Sequence, residues 1–227
     1  MAKPHGGLNL REKFVGLVYA DHNRSKTVQT ALTRVLSQIS DQTLAVNIGA
    51  GKTRLHPHIK NIDIFDGPNI DYVGRAEALP FPDGSVDIVI SQETLEHVID
   101  PFKAITEIFR VLKEDGIIYL QLPFTIGYHP GPHDYWRFST EGIQALCEYA
   151  GLHCVEIGFS VGSATGFYRM AVEFFAILVS GPFEKLYIPS KALFSLLLFP
   201  IKWLDGWTSL SRQNDRIAGG YYVIARK

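Results

Sequence analysis

Apolar positions fall into two textures along the chain. Within residues 11–40, Val28, Ala31, Leu32, Val35, Leu36 and Ile39 recur at steps of three and four. That spacing predicts a helix with one apolar stripe. Past residue 40 the pattern becomes short apolar runs: Leu44–Ile48, Asn61–Ile64, Ile70–Val73, Val86–Ile90, Ile117–Leu122, Val155–Ile157 and Tyr221–Ala225. Each reads as a strand. Runs that stay apolar rather than alternating imply strands buried on both faces, hence a mainly parallel sheet.

Helical spacing returns between the runs. Phe102, Ile105, Ile108, Phe109 and Leu112 predict a helix over Pro101–Leu112, stopped by Asp115-Gly116. Ser139–Tyr149 predicts another, with Ser139 or Thr140 as N-cap. Strands alternating with helices give an α/β fold with an open, doubly wound sheet. Ligands in such sheets bind outside the carboxyl ends of the strands. Residues 160–219 depart from the pattern: they are rich in Phe, Leu, Ile and Trp, with prolines at 182, 189 and 200. They read as an apolar helical insertion before the last strand, in a single domain spanning 1–227 with an N-terminal helical segment over 11–40.

Composition narrows the partners. Hydrophobic residues make up 46%, enough for a substantial core. Lys and Arg number 22 against 23 Asp and Glu, so no basic excess points to nucleic acid. Cys147 and Cys154 form neither a disulfide framework nor a metal-ligand spacing, which suits a reducing compartment. No metal is expected. Residues 1–10 carry no signal-peptide run. No stretch reaches the ~18 apolar residues of a membrane-spanning helix. Residues 192–201 come nearest. These features predict a cytoplasmic protein.

Candidate chemistry begins where the first run ends, in Asn47-Ile48-Gly49-Ala50-Gly51. Glycines there allow a sharp turn and close approach of a ligand to the backbone. The second run contributes Asp63, whose carboxylate can accept hydrogen bonds from ribose hydroxyls. Gly51 and Asp63 are twelve residues apart. A dinucleotide site places its acid ~20 residues on and wants a third glycine and a full helix. A nicotinamide oxidoreductase is therefore disfavoured.

Next come Gly74-Arg75-Ala76-Glu77-Ala78-Leu79-Pro80-Phe81, then Asp83-Gly84-Ser85-Val86-Asp87, Ser91–Val98 and Phe109–Gly116. This succession resembles the methyltransferase type 11 branch of the class I S-adenosylmethionine-dependent methyltransferases, over about residues 44–158. The resemblance implies a seven-stranded Rossmann-like sheet with an antiparallel last strand, and S-adenosyl-L-methionine as cofactor. It implies that Gly49, Ala50 and Gly51 pass close to the methionine part. Asp63 would hold the ribose, Ala76 and Glu77 would flank the adenine, and Gln92 would line the methionine side. His97 reads as a structural residue. Three positions depart from the family pattern. Asn47 replaces an acid that supports the cofactor's amino group, Thr53 a glycine, and Arg75 an acid that meets the adenine. Arginine has no acceptor, so Glu77 or a backbone carbonyl must make that contact.

After the fifth run, Pro123–Phe138 packs two histidines, an acid, two tyrosines, a tryptophan and an arginine into one segment. Its His-Pro-x-Pro-His-Asp-Tyr-Trp-Arg-Phe core resembles a subgroup of type 11 enzymes met among surface-glycan enzymes. A segment at a strand's carboxyl end faces the site. His129 and His133 are candidate bases, since histidine titrates near neutrality. Asp134 would orient one of them. Arg137 would clamp an anionic acceptor, with Tyr135 beside it. The competing assignment makes the aromatic residues core and pairs Arg137 with Asp134. The expected acceptor is a small, glycan or lipid-linked molecule methylated at oxygen.

Two assignments of residues 168–207 stand open. They form a lid packed on the sheet, or an interfacial patch whose lysines and tryptophans suit the inner face of a membrane. A degenerate methyltransferase acting as a membrane-associated scaffold is the non-enzymatic alternative.

Overall fold

The computed structural model describes residue 23 and residues 25–227. Residues 11–22 of the predicted N-terminal helical segment lie outside the described residues. The apolar stripe itself forms α1 (Lys26–Leu36), whose N-cap Ser25 accepts from the Val28 amide. Seven strands follow: β1 (Ala45–Ile48), β2 (Ile59–Asp63), β3 (Tyr72–Val73), β4 (Val86–Gln92), β5 (Leu112–Pro123), β6 (His153–Val161) and β7 (Gly220–Arg226). They make one sheet of order β3-β2-β1-β4-β5-β7-β6. All pairs from β3 to β5 are parallel, and β7 runs antiparallel to both β5 and β6. The fold is thus the expected doubly wound, mainly parallel seven-stranded sheet.

Side-chain alternation explains the unbroken apolar runs. Val46, Ile48, Ile62, Val89, Ile118, Leu120 and Val223 enter one buried cluster. Ala45, Ile59, Ile88, Ile90, Ile117, Tyr119 and Tyr222 enter the other. Successive residues point to opposite faces, and both faces are covered. The first face carries α2 (Pro101–Val111), capped by Asp100 with proline at its first turn, and α3 (Thr140–Tyr149), capped by Ser139. The second face receives α1 through Val28, Ala31, Leu32 and Val35.

One boundary moves. Leu112, expected as the last residue of the helix, is extended and pairs with Val86 at the start of β5. The ladder claims it before the helix can. Asp115, at φ 62°, then sits inside a strand irregularity rather than at a helix stop.

The connections at the first three strands carry no helix. Residues 49–58, 64–71 and 74–85 cross between strands as turns and irregular chain. Arg54 braces this part, donating to the Ile59 and Asn69 carbonyls and to Asp71. Between β6 and β7 the chain forms α4 (Ser163–Ser180) and α5 (Glu184–Leu198), then a 3-10 segment (Phe199–Leu204) and the short α6 (Asp205–Thr208). The Asp205 carboxylate caps α4 from a distance, accepting from the Ala164 and Thr165 amides.

Candidate active site

Parallel strands that leave β1 in opposite directions create a crevice at their carboxyl ends, between β1 and β4. A cavity of about 860 Å³ lies there. Its wall contains the ends of four strands: Gly49 and Gly51 after β1, Asp63 at β2, Gly74–Glu77 after β3, and Glu93, Thr94 and His97 after β4. Gly131, Pro132, His133 and Tyr135 supply the opposite side. The volume falls in the range of small-molecule sites, ~300–1,000 Å³.

The glycine turn is required by geometry. Gly49 has φ 69°, and a Cβ there would stand 2.2 Å from Thr94 Oγ1. Gly51 has φ 53°, with open space where its Cβ would be. Both lie in the left-handed region that favours glycine. The first glycine admits Thr94; the second leaves room in the cavity. Thr94 Oγ1 lies within hydrogen-bonding distance of the Ile48 and Gln92 carbonyls, tying the ends of β1 and β4 together.

Asp63 is held by the backbone. Its Oδ2 accepts from the Gly51 amide at 2.9 Å and its Oδ1 from the Phe65 amide at 3.0 Å. Each carboxylate oxygen keeps a second lone pair, so the group is positioned without being consumed. Glu77, its side chain largely buried, accepts from Arg75 Nη2 at 3.1 Å, and Ala76 beside it is buried.

Other predicted residues lie elsewhere. Asn47 is buried and donates to Asn61 Oδ1 at 3.2 Å. Its register partner in β2 is Asn61, so the two amides share a face and satisfy each other. Asn47 therefore supports the strands rather than the cavity wall. Ala50 is buried and outside the lining. Gln92 is corrected as well: it donates to Gln121 Oε1 and to Asn23 Oδ1, and the cavity is lined instead by Glu93 and Thr94. Glu93 sits at φ 50°, a left-handed conformation that a non-glycine residue adopts only when its surroundings enforce it.

The segment after β5 divides in the same way. His133 and Tyr135 reach the cavity. Asp134 and Arg137 do not line it. Arg137 donates to both carboxylate oxygens of Asp134, at 2.6 and 2.7 Å, and also to the Ile126, Gly127 and Trp136 carbonyls. An arginine so occupied does not clamp an acceptor; it folds the loop, as the competing assignment held. The Arg137 guanidinium holds the Asp134 carboxyl down at about 2. Asp134 also accepts from the His129 amide. Trp136 Nε1 anchors the loop to the Val98 carbonyl, and Phe138 is core.

Sequence reasoning gave Glu96 no role and His97 a structural one. Both lie in a 3-10 turn, Leu95–His97, just past β4. Glu96 is fully buried, and its carbonyl accepts from the Tyr135 and Trp136 amides. Burial pushes its carboxyl up to about 7, with His129 opposing. His129 Nε2 stands 3.7 Å from Glu96 Oε1. Attraction to Glu96 raises the His129 imidazole, whereas burial lowers that of His97. An acid and a histidine in adjacent positions after a strand end, with a second histidine in the next strand-end loop, was the available signal.

Parts of the chain match known proteins. Residues 30–120 match a family described as "Methyltransferase domain". A ubiquinone/menaquinone biosynthesis C-methyltransferase UbiE of Pseudoalteromonas translucida is 34% identical over 120 residues, covering 48% of this chain and 45% of that protein. A probable S-adenosylmethionine-dependent methyltransferase of Mycolicibacterium smegmatis is 38% identical over 58 residues, covering 26% and 23%. The chain spans less than half the length of these curated relatives. Among solved structures, an S-adenosylmethionine-dependent methyltransferase from Mesorhizobium loti superposes with TM-score 0.51 at 14% identity, over 91% of this chain and all of that one. A Haemonchus contortus phosphoethanolamine N-methyltransferase 2 in complex with S-adenosyl-L-methionine gives TM-score 0.51 at 13% identity, over 89% and 52%. The chain carries the class I S-adenosylmethionine-dependent methyltransferase fold, and its residues 30–120 match the methyltransferase domain family.

Proposed function

We propose that this protein transfers a methyl group from S-adenosylmethionine to an oxygen of a small, glycan or lipid-linked acceptor. The observation that carries the proposal is one continuous cavity. It joins the glycine turn, Asp63 and Ala76-Glu77 to His133 and Tyr135. The cofactor fits the residues present. Gly51 leaves open space, Asp63 keeps acceptor capacity, and Glu77 offers an acceptor where Arg75 has none. When bound, the cofactor supplies an electrophilic sulfonium methyl with a good leaving group. The chain's task is then positioning. Asp63 would hold the ribose hydroxyls, and the backbone at Gly49–Gly51 would lie along the methionine part. Tyr135 would wall the acceptor, and His133 would take the proton of its hydroxyl.

Calorimetric titration with S-adenosylhomocysteine tests the reading. Saturable heat at one equivalent is expected; no heat with folded protein overturns it.

A lipid-linked acceptor is favoured by a separate observation. Phe174, Ile177, Leu178, Phe183, Trp203, Trp207 and Leu210 are all exposed on the insertion. Phe174, Ile177 and Leu178 lie on α4, and Leu193 and Leu197 on α5 are exposed as well. Residues 168–207 would therefore rest on a lipid surface, with tryptophans at the headgroup boundary. No helix among the described residues is long and apolar enough to cross a membrane. Flotation with liposomes tests this. Trp203→Ser/Trp207→Ser should reduce recovery with the vesicles, and equal recovery would sink the membrane reading.

A further inference from the structure

Behind the cavity wall, Glu96, His97 and His129 converge. Glu96 is 0% exposed, and neither of its carboxylate oxygens has a hydrogen-bond partner. His97 Nδ1 lies 2.5 Å from the His133 carbonyl, and His129 Nδ1 lies 2.9 Å from the Gly127 carbonyl. A carbonyl only accepts, and the Gly127 contact is shorter than the 3.3 Å from Arg137 Nη2 to His129 Nδ1, so both rings donate from Nδ1 and keep a lone pair on Nε2. The two Nε2 atoms stand 3.5 and 3.7 Å from Glu96 Oε1. The ligand atoms of all three residues lie within 4.8 Å of one another. His129 Nε2 is itself buried without a hydrogen-bond partner. A carboxylate and two imidazole lone pairs thus face one another across gaps too long for good hydrogen bonds. Three ligand-type atoms converge with no protein donor between them.

We propose that Glu96, His97 and His129 bind one divalent transition-metal ion of the zinc type. Two imidazoles and one carboxylate are a donor set that such ions take. Bonds of ~2.0–2.1 Å in tetrahedral geometry separate ligand atoms by roughly 3.3 Å. The observed 3.5 and 3.7 Å to Glu96 Oε1 need only a small contraction, and the two imidazole nitrogens close from within 4.8 Å. The two carbonyls that hold Nδ1–H orient the rings as outer-shell partners of metal-bound histidines do. The surrounding charge agrees. Glu93 adds a negative charge nearby, and the positive charge of Arg137 is matched by Asp134. Of the three residues only His97 lines the cavity, so a further ligand of the ion would have to enter past its ring. A part for the ion in taking the acceptor's proton rests on the methyltransferase reading, whereas metal binding does not. The absence of a metal, expected from cysteine spacing, is thereby revised. The ligands come from two strand-end loops and carry no cysteine.

The test uses the full chain, freed of any affinity tag and stripped of metal, titrated with Zn²⁺ and with Co²⁺. One ion per chain and a visible Co²⁺ absorption band are expected. Glu96→Gln and His129→Ala should each weaken Zn²⁺ binding tenfold or more. His133→Ala, whose side chain lies outside the cluster, should leave it unchanged. If His129→Ala does not fold, Glu96→Gln keeps the size of the side chain and carries the comparison. Folded wild-type chain that takes up no ion has a shared proton in place of the metal, which overturns the proposal. So does unaltered binding by the folded variants. Titration of the metal-free chain with S-adenosylhomocysteine keeps the two readings apart. A chain that binds S-adenosylhomocysteine but takes up no Zn²⁺ overturns only this inference, and one that takes up Zn²⁺ but binds no S-adenosylhomocysteine overturns only the methyltransferase reading.

Discussion

The two walls of the cavity are built by opposite means. The wall from Gly49 to Glu77 is made of backbone. Asp63 is placed by two amide hydrogen bonds, and the turn is shaped by two glycines at positive φ. The wall from Glu93 to Tyr135 is braced from behind by charge. Arg137 grips Asp134, whose side chain is 1% exposed, and Glu96 lies buried against two histidines. Amide placement is cheap in sequence, needing only small residues and one acid. Charge placement is costly in desolvation and needs partners from distant segments. On the proposed function, the first wall would take a ligand common to a whole class and the second an acceptor particular to this protein.

The contrast can be broken most sharply at Arg137. Arg137→Ala leaves Asp134 buried and unpaired, and should cost about 3 kcal/mol of unfolding free energy, the lower end for a broken buried pair. Denaturant unfolding measures it; unchanged stability would mean the acceptor wall does not depend on that pair. Gly49→Ala comes next. It forces a Cβ into Thr94 at an unfavourable φ and should cost about 2–3 kcal/mol. Gly51→Ala meets open space and should cost only about 1 kcal/mol in stability, while its methyl obstructs the cavity and weakens S-adenosylhomocysteine binding. Equal stability losses at the two glycines would erase the distinction drawn between them.

Asp63→Ala should weaken S-adenosylhomocysteine binding by ~1.5–3 kcal/mol, the loss expected for charged hydrogen bonds. Calorimetry that finds wild-type affinity would remove Asp63 from the cofactor wall. The smallest stability effect is expected at His133, an exposed residue whose substitution should fall within about 0.5 kcal/mol. His133→Ala should nonetheless lower turnover while S-adenosylhomocysteine affinity holds. A parallel fall in both would place it with the cofactor rather than the acceptor.

Legibility in the sequence follows the same division. The seven strands read directly because burial on both faces leaves unbroken apolar runs. Gly49, Gly51, Asp63, Ala76 and Glu77 read because their roles depend on chain order at strand ends, and all five line the cavity. Asn47 and Gln92 lie outside the cavity lining for one reason. Both lie within strands, where an adjacent strand's amide, Asn61 or Gln121, claims the side chain. Arg137 could be read as clamp or as brace until Asp134 was seen at both ends of its guanidinium.

By itself, then, the sequence determined the sheet, the glycine turn that opens the cavity, and the acid that faces it. Periodicity and local turn chemistry act over a few residues, and a linear reading captures them. Only the tertiary structure decided that Glu96 is buried without a hydrogen-bond partner, that His97 and His129 face it from separate loops, and that α4 and α5 present an apolar side to the surroundings. Those outcomes depend on which segments meet in space and which groups lose water when they do. That desolvation is a property of the packed whole.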